Sequence, residues 1–212
     1  IFSDLEYVRV YIDDILVTSC STFEEHLQRL ELVFSQLSET GLKVNANKSH
    51  FAVSEIEYLG YWITRNGIQP VPKKVEAIQC IAPPTTRKQV RSFIGLINYY
   101  RDMWPRRSEI LAPLTRLTSK DVPFQWTDIE QQAFDKIKAI VCCEVLLLYP
   151  DFNKPFHIHT DASHYQLGAV ISQDNRPIAF YSRKLQPAQI RYTTTERELL
   201  SIVETLKEFR NI

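Results

Sequence analysis

The chain has 212 residues, of which 44% are hydrophobic and 24% are charged, and its formal net charge is zero. This composition is ordinary for a soluble globular protein of one large or two small domains, with enough chain to bury a core. No apolar run approaches the ~20 residues that a membrane span requires, and the start shows no signal pattern. We therefore expect an intracellular, cytoplasmic protein without a membrane partner. From the character of both ends we also expect a fragment of a longer chain.

The charges are unevenly distributed along the chain. Residues 62–120 carry 11 Lys and Arg against 3 Asp and Glu, whereas residues 1–61 carry 4 against 10 and residues 121–212 carry 10 against 12. A basic middle between acidic flanks suits a protein that holds phosphates centrally and metal ions on either side. A solvated surface explains the same distribution equally well, so charge alone does not decide.

The four cysteines are Cys20, Cys80, Cys142 and Cys143. They neither make a disulfide framework at this length nor show the paired spacing of a zinc site. We expect reduced, mostly buried thiols, as is typical of an intracellular protein.

The first third of the chain predicts a hairpin, a helix and further strands. Residues 7–19 are rich in β-branched and aromatic side chains apart from Asp13-Asp14, which indicates two strands that meet at a tight turn. Ser21 or Thr22 can cap a helix that ends at Gly41. Residues 42–68 are strand-like, with Asn66-Gly67 as a hairpin turn signal. The apolar stripe of the helix is Phe23, Leu27, Leu30, Phe34 and Leu37.

Prolines mark two changes in composition further along. Pro70 and Pro72 precede a helical stretch, and Pro150 and Pro155 precede a stretch of short strands. This order predicts α/β or α+β modules joined by a helical segment. The predicted elements are helices over 86–100 and 127–141, strands near 155–161, 167–173 and 177–182, and a last helix that begins near 193–195.

Asp13 and Asp14 form the first candidate site. Adjacent strand residues point to opposite faces, so both carboxylates can face one site only if the chain turns there. Two acids held together favour a bound divalent cation or a shared proton, and Mg²⁺ in phosphoryl-transfer sites is usually held by one or two carboxylates. Asp pairs also occur in solvated turns, but the apolar flanks of this pair argue against that interpretation.

The basic middle interleaves cations with aromatic side chains. Lys and Arg can neutralise phosphates, and aromatic rings can pack on sugars or bases. The alternative is an amphipathic helix that forms ordinary core through Val90, Phe93, Ile94, Ile97 and Tyr100. We expect that stripe to be buried and the opposite face to contact nucleic acid. The candidate contact residues are Arg87, Lys88, Arg91, Asn98, Tyr99, Tyr100, Arg101, Trp104, Arg106 and Arg107.

His157, His159 and Asp161 share one face of a predicted strand. His-x-His on a strand is a zinc pattern, so a zinc hydrolase is a rival function, although no third nitrogen or sulfur ligand stands out. The favoured interpretation takes Asp161 as an oxygen ligand, joined by a carboxylate from the last helix. Glu196 and Glu198 lie at the two edges of the buried stripe predicted for that helix, and geometry does not choose between them. The stripe is Leu199, Ile202, Val203, Leu206 and Phe209.

Tyr11-Ile12-Asp13-Asp14-Ile15-Leu16-Val17 resembles the catalytic hairpin of the reverse transcriptases of gypsy-type long-terminal-repeat retrotransposons. Glu25-His26-Leu27, Gly41-Leu42 and Asn47-Lys48 fit the spacing of that family, and Tyr58-Leu59-Gly60-Tyr61-Trp62-Ile63 is similar to its primer-holding hairpin. The resemblance implies that Asp13 and Asp14 are two of three palm carboxylates, the third lying upstream. It also implies that Tyr11 lies beside the primer terminus. Leu59, Gly60 and Tyr61 would then bind substrate.

The rest of the chain continues this resemblance. The segment 90–101 looks like the thumb helix of the family, and Ala112-Pro113-Leu114-Thr115 and Phe124-Gln125-Trp126-Thr127 match the linker after it. His159-Thr160-Asp161-Ala162-Ser163 and Glu196-Arg197-Glu198-Leu199-Leu200 are similar to the opening of a retroelement ribonuclease H. That likeness places catalytic acids at Asp161 and Glu198, with two more beyond Ile212. The amino-acid sequences of segments 103–107 and 164–166 differ from those usual in the family.

The resemblance implies three parts: a palm remnant of βαββ type over 1–67, a helical thumb and linker over 68–144, and the start of a ribonuclease H-like mixed sheet with a helix over 145–212. It implies RNA-directed DNA polymerase and ribonuclease H activities with Mg²⁺ or Mn²⁺ held by Asp13, Asp14, Asp161 and Glu198. The implied partners are an RNA template, a DNA primer, an RNA–DNA hybrid and dNTP. The resemblance leaves open whether the parent enzyme is a dimer. The chain alone is expected to be inactive. The rival from another class is a catalytically dead nucleic-acid-binding remnant.

Overall fold

The computed structural model describes residues 1–143 and 146–210. Within these ranges, strands and helices form three small sheets and seven α-helices, so the predicted mixed α/β class is confirmed. The chain divides into two compact units, Ile1–Leu59 and Gly60–Ile212, each with its own apolar core.

The first unit holds three strands and one long helix. The predicted hairpin is confirmed, and so is the helix after it, which Thr22 caps by accepting a hydrogen bond from the Glu25 amide at 3.3 Å. Residues 42–55, all of them described, contain no strand, so the strand-like pattern was wrong there. The Asn45 side chain accepts from the Asn47 amide and starts a 3₁₀ turn instead. The elements are β1 (Val8–Tyr11), β2 (Asp14–Val17), α1 (Phe23–Glu39) and β3 (Ile56–Tyr58).

Only part of the apolar side of α1 is buried within this unit. Val33 and Leu37 pack against Val8 in the core, whereas Phe23 and Phe34 are exposed. The helical period therefore predicted which side of the helix is apolar but not how much of that side is covered.

The second unit begins with a hairpin and continues as a helical bundle. The hairpin strands pair around a two-residue turn at Arg65-Asn66, one residue before the predicted turn. Capping boxes at Thr86 and Thr127 begin the two helices that were predicted to start there. The elements are β4 (Tyr61–Thr64), β5 (Gly67–Pro70), α2 (Pro72–Gln79), α3 (Arg87–Tyr99), α4 (Arg107–Ile110), α5 (Ala112–Arg116) and α6 (Asp128–Cys142).

The helices of this bundle pack around aromatic and aliphatic side chains. The predicted stripe of α3 is confirmed as part of that core, and Phe93 lies against Phe134 of α6 with ring centroids 4.7 Å apart. Trp104 and Tyr100, both predicted as contact residues, are buried in the core. Large aromatic side chains stabilise a core most when fully removed from water, which explains their placement.

An antiparallel sheet with one helix follows. The strand order is β6-β7-β8, which confirms the three predicted strands, and the register places Asp161 opposite Gly168. A third capping box, at Thr193, begins the helix. The elements are β6 (His157–Ala162), β7 (Gln166–Gln173), β8 (Arg176–Lys184) and α7 (Thr194–Glu208).

Helix α7 packs on the sheet with a different face from the predicted one. The prediction of its buried stripe was wrong, because Leu199, Ile202, Val203 and Leu206 are 41% to 57% exposed. Ser201 and Thr205 are fully buried instead. Directed polar contacts fix this orientation, and they recur with the spacing of one helix face. They run from Arg197, Ser201, Glu204 and Glu208 to Ser163, Asp161, Arg183 and Arg101 respectively.

The cysteines are free thiols, but the prediction that most of them are buried was wrong. Cys20, Cys80 and Cys143 are exposed, and Cys142 is partly exposed. Cys80 and Cys143 lie at the C-terminal caps of α2 and α6, where the chain leaves the core. Among residues 1–143 and 146–210, no helix has the length and apolar character needed to span a membrane.

Glu130 is a fully buried carboxylate at the start of α6. Its Oε2 accepts hydrogen bonds from the Thr127 amide at 3.0 Å and from the Thr127 hydroxyl, and Arg116 Nη2 lies 3.4 Å from Oε1. Burial by itself raises the pKa of the Glu130 carboxyl, but the Thr127 hydrogen bonds and Arg116 outweigh it. The pKa is therefore held below its ordinary value of 4.5.

We predict that Glu130 makes the stability of the second unit depend on pH. Because its pKa is depressed in the folded state, the ionised form stabilises the fold above the ordinary pKa, and this contribution is lost as pH falls through the folded-state pKa. Wild type should therefore lose more free energy of unfolding between about pH 5 and pH 2 than Glu130→Gln, which keeps an acceptor oxygen but does not titrate. Urea denaturation followed by tryptophan fluorescence measures the difference, and identical pH profiles would contradict it.

Candidate active sites and nucleic-acid surface

Asp13 and Asp14 lie at the tip of the β1–β2 hairpin. Tyr11 and Asp14 are register partners, so Ile12 and Asp13 form a two-residue turn. Ile12 has a left-handed backbone with φ of 52°, which costs a β-branched residue about 1–2 kcal/mol of strain. Both carboxylates are exposed. The turn thus presents two neighbouring acids at one end of the hairpin.

The negative charge of Asp14 acts on Tyr58, in the same unit. Burial raises the pKa of the Tyr58 hydroxyl, and Asp14 raises it further. Two exposed carboxylates on one turn are the donor type that Mg²⁺ prefers, so the residues present fit a divalent cation. The described residues contain no group of three or more His, Cys, Asp or Glu that could hold a metal. An ion at this turn would therefore need further oxygens, such as those of substrate phosphates.

Leu59, Gly60 and Tyr61 form the proposed primer-holding segment. Leu59 and Gly60 have left-handed backbones, with φ of 47° and 74°. The Tyr100 hydroxyl donates to the Gly60 carbonyl at 2.7 Å, and the Tyr61 hydroxyl donates to the Tyr99 carbonyl at 3.0 Å. Burial is the main cause that raises the pKa of Tyr61 to about 12. Its phenol therefore stays protonated and keeps donating at neutral pH.

Arg87 and Arg91, predicted to contact nucleic acid, make hydrogen bonds within the protein. Arg87 Nε donates to the Leu117 carbonyl at 3.0 Å, and Arg91 Nη2 donates to the Thr118 carbonyl at 2.6 Å. These carbonyls follow α5, where backbone oxygens have no intrahelical donor. Both guanidinium groups therefore stabilise the end of α5, while Arg91 remains exposed at the surface.

Lys88, Asn98, Tyr99 and Arg101 complete the predicted set. Lys88 and Tyr99 are exposed on α3. Asn98 Oδ1 accepts a hydrogen bond from Arg107 Nη1, and Arg101 Nη2 lies 2.6 Å from Glu208 Oε1. Lys88 and Tyr99 are thus accessible to solvent, although the Tyr99 ring also stacks on Tyr61. Asn98 and Arg101 are paired with Arg107 and Glu208.

Sequence reasoning missed two residues of this surface. Gly95 lies between Arg91 and Tyr99 on α3, on the same helix face, and a side chain there would meet open space. Lys74 of α2 lies over the Tyr99 ring, 5.4 Å from its centroid. A glycine inside a helix was a signal available in the sequence. Lys74 gave no such signal, because only the fold brings it to Tyr99.

Asp161 and Glu198 lie on two elements that pack together, β6 and α7. Asp161 lies one residue before the end of β6 and is exposed, and Glu198 is partly exposed. Ser201, about one turn beyond Glu198, donates to the Asp161 carbonyl at 3.4 Å. Both acids offer oxygen donors, so the pair also fits a divalent cation.

Glu196, the other candidate acid on α7, has a structural role. Its Oε2 accepts hydrogen bonds from the Thr193 amide at 2.7 Å and from the Thr193 hydroxyl at 2.9 Å. These bonds hold the pKa of Glu196 below its ordinary value. Because Glu196 closes the capping box, Glu198 is the remaining candidate, a choice that helix geometry alone had left open.

The rival zinc site lacks a ligand set in the described structure. His157 and His159 lie on β6 and are exposed. Catalytic zinc sites use three protein ligands, and the described part of the chain holds no cluster of three or more donor side chains around these histidines. Among the described residues, the histidine pair therefore has no third protein ligand with which to hold a catalytic zinc ion.

We predict that alanine is tolerated less at Gly60 than at Gly41, which has nearly the same backbone angle. The two have φ of +74° and +73°, but a Cβ at Gly60 would clash with Lys74 Nζ and lie 2.8 Å from the Tyr99 hydroxyl, whereas one at Gly41 meets nothing within 4 Å. Gly41→Ala should cost about 1–2 kcal/mol of backbone strain. Gly60→Ala should cost about 0.5–1 kcal/mol more, because the contact of Lys74 with the Tyr99 ring is also lost. Chemical denaturation of both variants measures this, and equal losses would refute the close approach at Gly60.

Two protein families match the chain in separate segments. The family described as "Reverse transcriptase (RNA-dependent DNA polymerase)" matches residues 3–63. The family described as "RNase H-like domain found in reverse transcriptase" matches residues 126–212. The first segment contains Asp13 and Asp14, and the second contains Asp161 and Glu198.

Individual relatives agree with both family matches. The chain is 41% identical over 216 residues to the "Retrovirus-related Pol polyprotein from transposon opus" of Drosophila melanogaster, covering 95% of this chain and 21% of that polyprotein. It is 36% identical over 214 residues to the corresponding polyprotein from transposon gypsy of the same organism, with the same two coverages of 95% and 21%.

A solved structure extends the likeness to three dimensions. The foamy viral protease-reverse transcriptase in complex with an RNA/DNA hybrid superposes with a TM-score of 0.86 at 28% identity, covering 98% of this chain and 29% of that one. The chain thus spans about a fifth of the length of the curated relatives that it matches. From the matches in both segments, the chain belongs to the reverse transcriptase and ribonuclease H-like region of retrovirus-related transposon Pol polyproteins.

Proposed function

We propose that this chain supplies parts of two active sites of a retroelement polyprotein, an RNA-directed DNA polymerase and a ribonuclease H. The observation that carries the proposal is that each matched segment holds two acidic residues, one pair on a hairpin tip and the other on a strand and the helix packed against it. Asp13 and Asp14 share the β1–β2 tip, and Ser201, one turn beyond Glu198 on α7, contacts the end of β6 that bears Asp161. The proposed functional parts are a palm portion over 1–67, a thumb and linker over 68–144, and a ribonuclease H-like portion over 145–212.

At the first site, Asp13 and Asp14 would hold Mg²⁺ or Mn²⁺. Such ions, when bound, neutralise charge as a primer 3′ hydroxyl attacks dNTP and pyrophosphate leaves. The chain's own contribution is placement, since the strained turn at Ile12 keeps both carboxylates at the tip. The exposed ring of Tyr11, beside them, offers an apolar surface against the primer terminus.

At the second site, Asp161 and Glu198 would serve hydrolysis of the RNA strand of an RNA–DNA hybrid. They come from different elements, so their separation depends on how α7 packs on β6. Carboxylates that share a divalent cation must lie within a few ångströms of one another, because each oxygen sits about 2.0–2.1 Å from Mg²⁺. The polar packing of α7 therefore determines whether this site can form.

One face of α3 is the proposed nucleic-acid surface. Lys88, Arg91, Gly95 and Tyr99 recur at helical spacing and are exposed. Cations attract the phosphate backbone, an exposed ring packs on a sugar or base, and a glycine lets a strand approach the helix closely. The complex of the foamy viral relative with an RNA/DNA hybrid supports a template–primer duplex as the partner.

We predict that the two sites can be inactivated separately. In the polyprotein region that contains this chain, Asp13→Asn should lower primer extension by about a hundredfold or more and leave hybrid cleavage intact. Asp161→Asn should have the reverse effect, because each substitution removes charge from one site only. Extension of a labelled primer and cleavage of a labelled RNA–DNA hybrid, run on the same preparations, measure both activities.

Asp4→Asn is the matched control for these variants. Asp4 is also an exposed acid of the first unit but lies outside the hairpin, so both activities should survive its substitution. Undiminished extension by Asp13→Asn, or undiminished cleavage by Asp161→Asn, would overturn the assignment of that site. Loss of both activities in either variant would contradict the separation of the two sites.

The surface of α3 predicts a change in the salt dependence of binding. Lys88→Ala should weaken binding of a fluorescent RNA–DNA hybrid and lower the slope of log affinity against log salt by about 1, because one phosphate contact is lost. Lys136→Ala changes an exposed lysine of α6 and should leave the slope unchanged. Fluorescence anisotropy over a range of salt concentrations measures both, and equal slopes for the two variants would count against this surface.

A further inference from the structure

We infer that Ser201 and Arg197 of α7 are positioning residues that fix the separation of Asp161 and Glu198. This inference rests on the proposed nuclease site and concerns how that site is held. Both side chains join the helix that carries Glu198 to the end of the strand that carries Asp161. The joining contacts are hydrogen bonds to backbone carbonyls, so they fix the position of the chain itself.

Ser201 is a polar residue placed where the helix meets the sheet. It is fully buried, and its Oγ lies 3.4 Å from the Asp161 carbonyl and 3.2 Å from the Gly168 carbonyl. Asp161 and Gly168 are register partners on β6 and β7. The hydroxyl thus contacts both strands at the level of Asp161, and a buried hydroxyl is stable there only while it has such partners.

Arg197 joins the start of α7 to the turn that follows β6. Its Nη1 donates to the Ser163 carbonyl at 3.2 Å and lies 3.0 Å from His164 Nδ1. Ser163 is only two residues beyond Asp161, so this contact restrains the chain on the far side of the carboxylate. Together, Ser201 and Arg197 hold the chain at Asp161 and at the second residue beyond it.

Glu198 lies beside these two contacts on the surface of the helix. Residues three and four apart are neighbours on a helix, so Ser201 is adjacent to both Glu198 and Arg197. Rotating α7 by one residue, about 100°, would break both contacts and change the direction in which Glu198 points. Apolar contacts are not directional, whereas hydrogen bonds to fixed carbonyls define the rotation of the helix.

Mn²⁺ titration of the polyprotein region that contains this chain, followed by paramagnetic broadening of backbone amide signals, tests this inference without an activity assay. In wild type, Mn²⁺ should broaden amides 161–163 and 197–199 together. Ser201→Ala and Arg197→Met should each weaken Mn²⁺ affinity by about tenfold, in the range found for residues that orient metal ligands. Arg197→Lys should recover part of the affinity, because it can still donate to the Ser163 carbonyl.

Thr205→Ala is the matched control. Thr205 is also fully buried on α7, but its hydroxyl donates to the Ser201 carbonyl of its own helix at 2.7 Å. Its removal should lower the melting temperature and leave Mn²⁺ affinity unchanged. Thermal unfolding of every variant separates a loss of stability from a loss of the site.

The outcomes distinguish this inference from the proposed site. If Mn²⁺ broadens neither segment in wild type, or if Asp161→Asn keeps wild-type affinity, the proposed nuclease site is wrong. If Asp161→Asn abolishes binding while Ser201→Ala and Arg197→Met bind Mn²⁺ as tightly as Thr205→Ala, the site stands and the positioning role is overturned.

Discussion

Ser182 of β8 is the contact on which the second unit depends. Its hydroxyl accepts from the Ser108 amide at 2.9 Å, and its carbonyl accepts from the Ser108 hydroxyl at 2.8 Å and from Arg107 Nη2 at 3.2 Å. Because β8 pairs with β7 and β7 with β6, this contact sets the place of the Asp161 strand relative to the helical bundle. Burial lowers the pKa of the Arg107 guanidinium. A cation withdrawn from water needs hydrogen-bond acceptors, and the two terminal nitrogens of Arg107 have them in Asn98 and Ser182, whereas its Nε has none in the described structure.

Both carboxylate pairs lie where the local backbone conformation or packing is energetically unfavourable. At the first, a β-branched residue takes a left-handed turn. At the second, α7 places Ser201 and Thr205 against the sheet and leaves Leu199 and Leu206 exposed. Each departure costs stability, and each presents acids where cations can reach them. Functional sites commonly retain such costs because removing them would move the reactive groups.

The parts of the fold that could be predicted from the sequence are those decided by near neighbours. The helix starts at Thr86, at Thr127 and near Thr193 were predicted correctly, and in each the cap and its partner are three residues apart. The choice between Glu196 and Glu198 required the structure, since the bond from Thr193 to Glu196 is what assigns one acid to the cap. The face of α7 that turns inward was mispredicted because its partners lie on β6, on β8 and after α3, far away in the sequence.

The basic middle of the chain shows why net charge and available contacts are different quantities. Arg87 and Arg91 donate to neutral carbonyls, so they keep their positive charge although part of their hydrogen-bonding capacity is used. Arg101 differs, because Glu208 offsets its charge at 2.6 Å. A retained charge still adds to the long-range field that attracts a polyanion. The strength of that field depends on the charge of the guanidinium group and not on how many of its N–H groups are already hydrogen-bonded. At the proposed nucleic-acid surface of α3, the arginines beside α5 would therefore add to the attraction, while direct contact would fall to the exposed Lys88 and Tyr99.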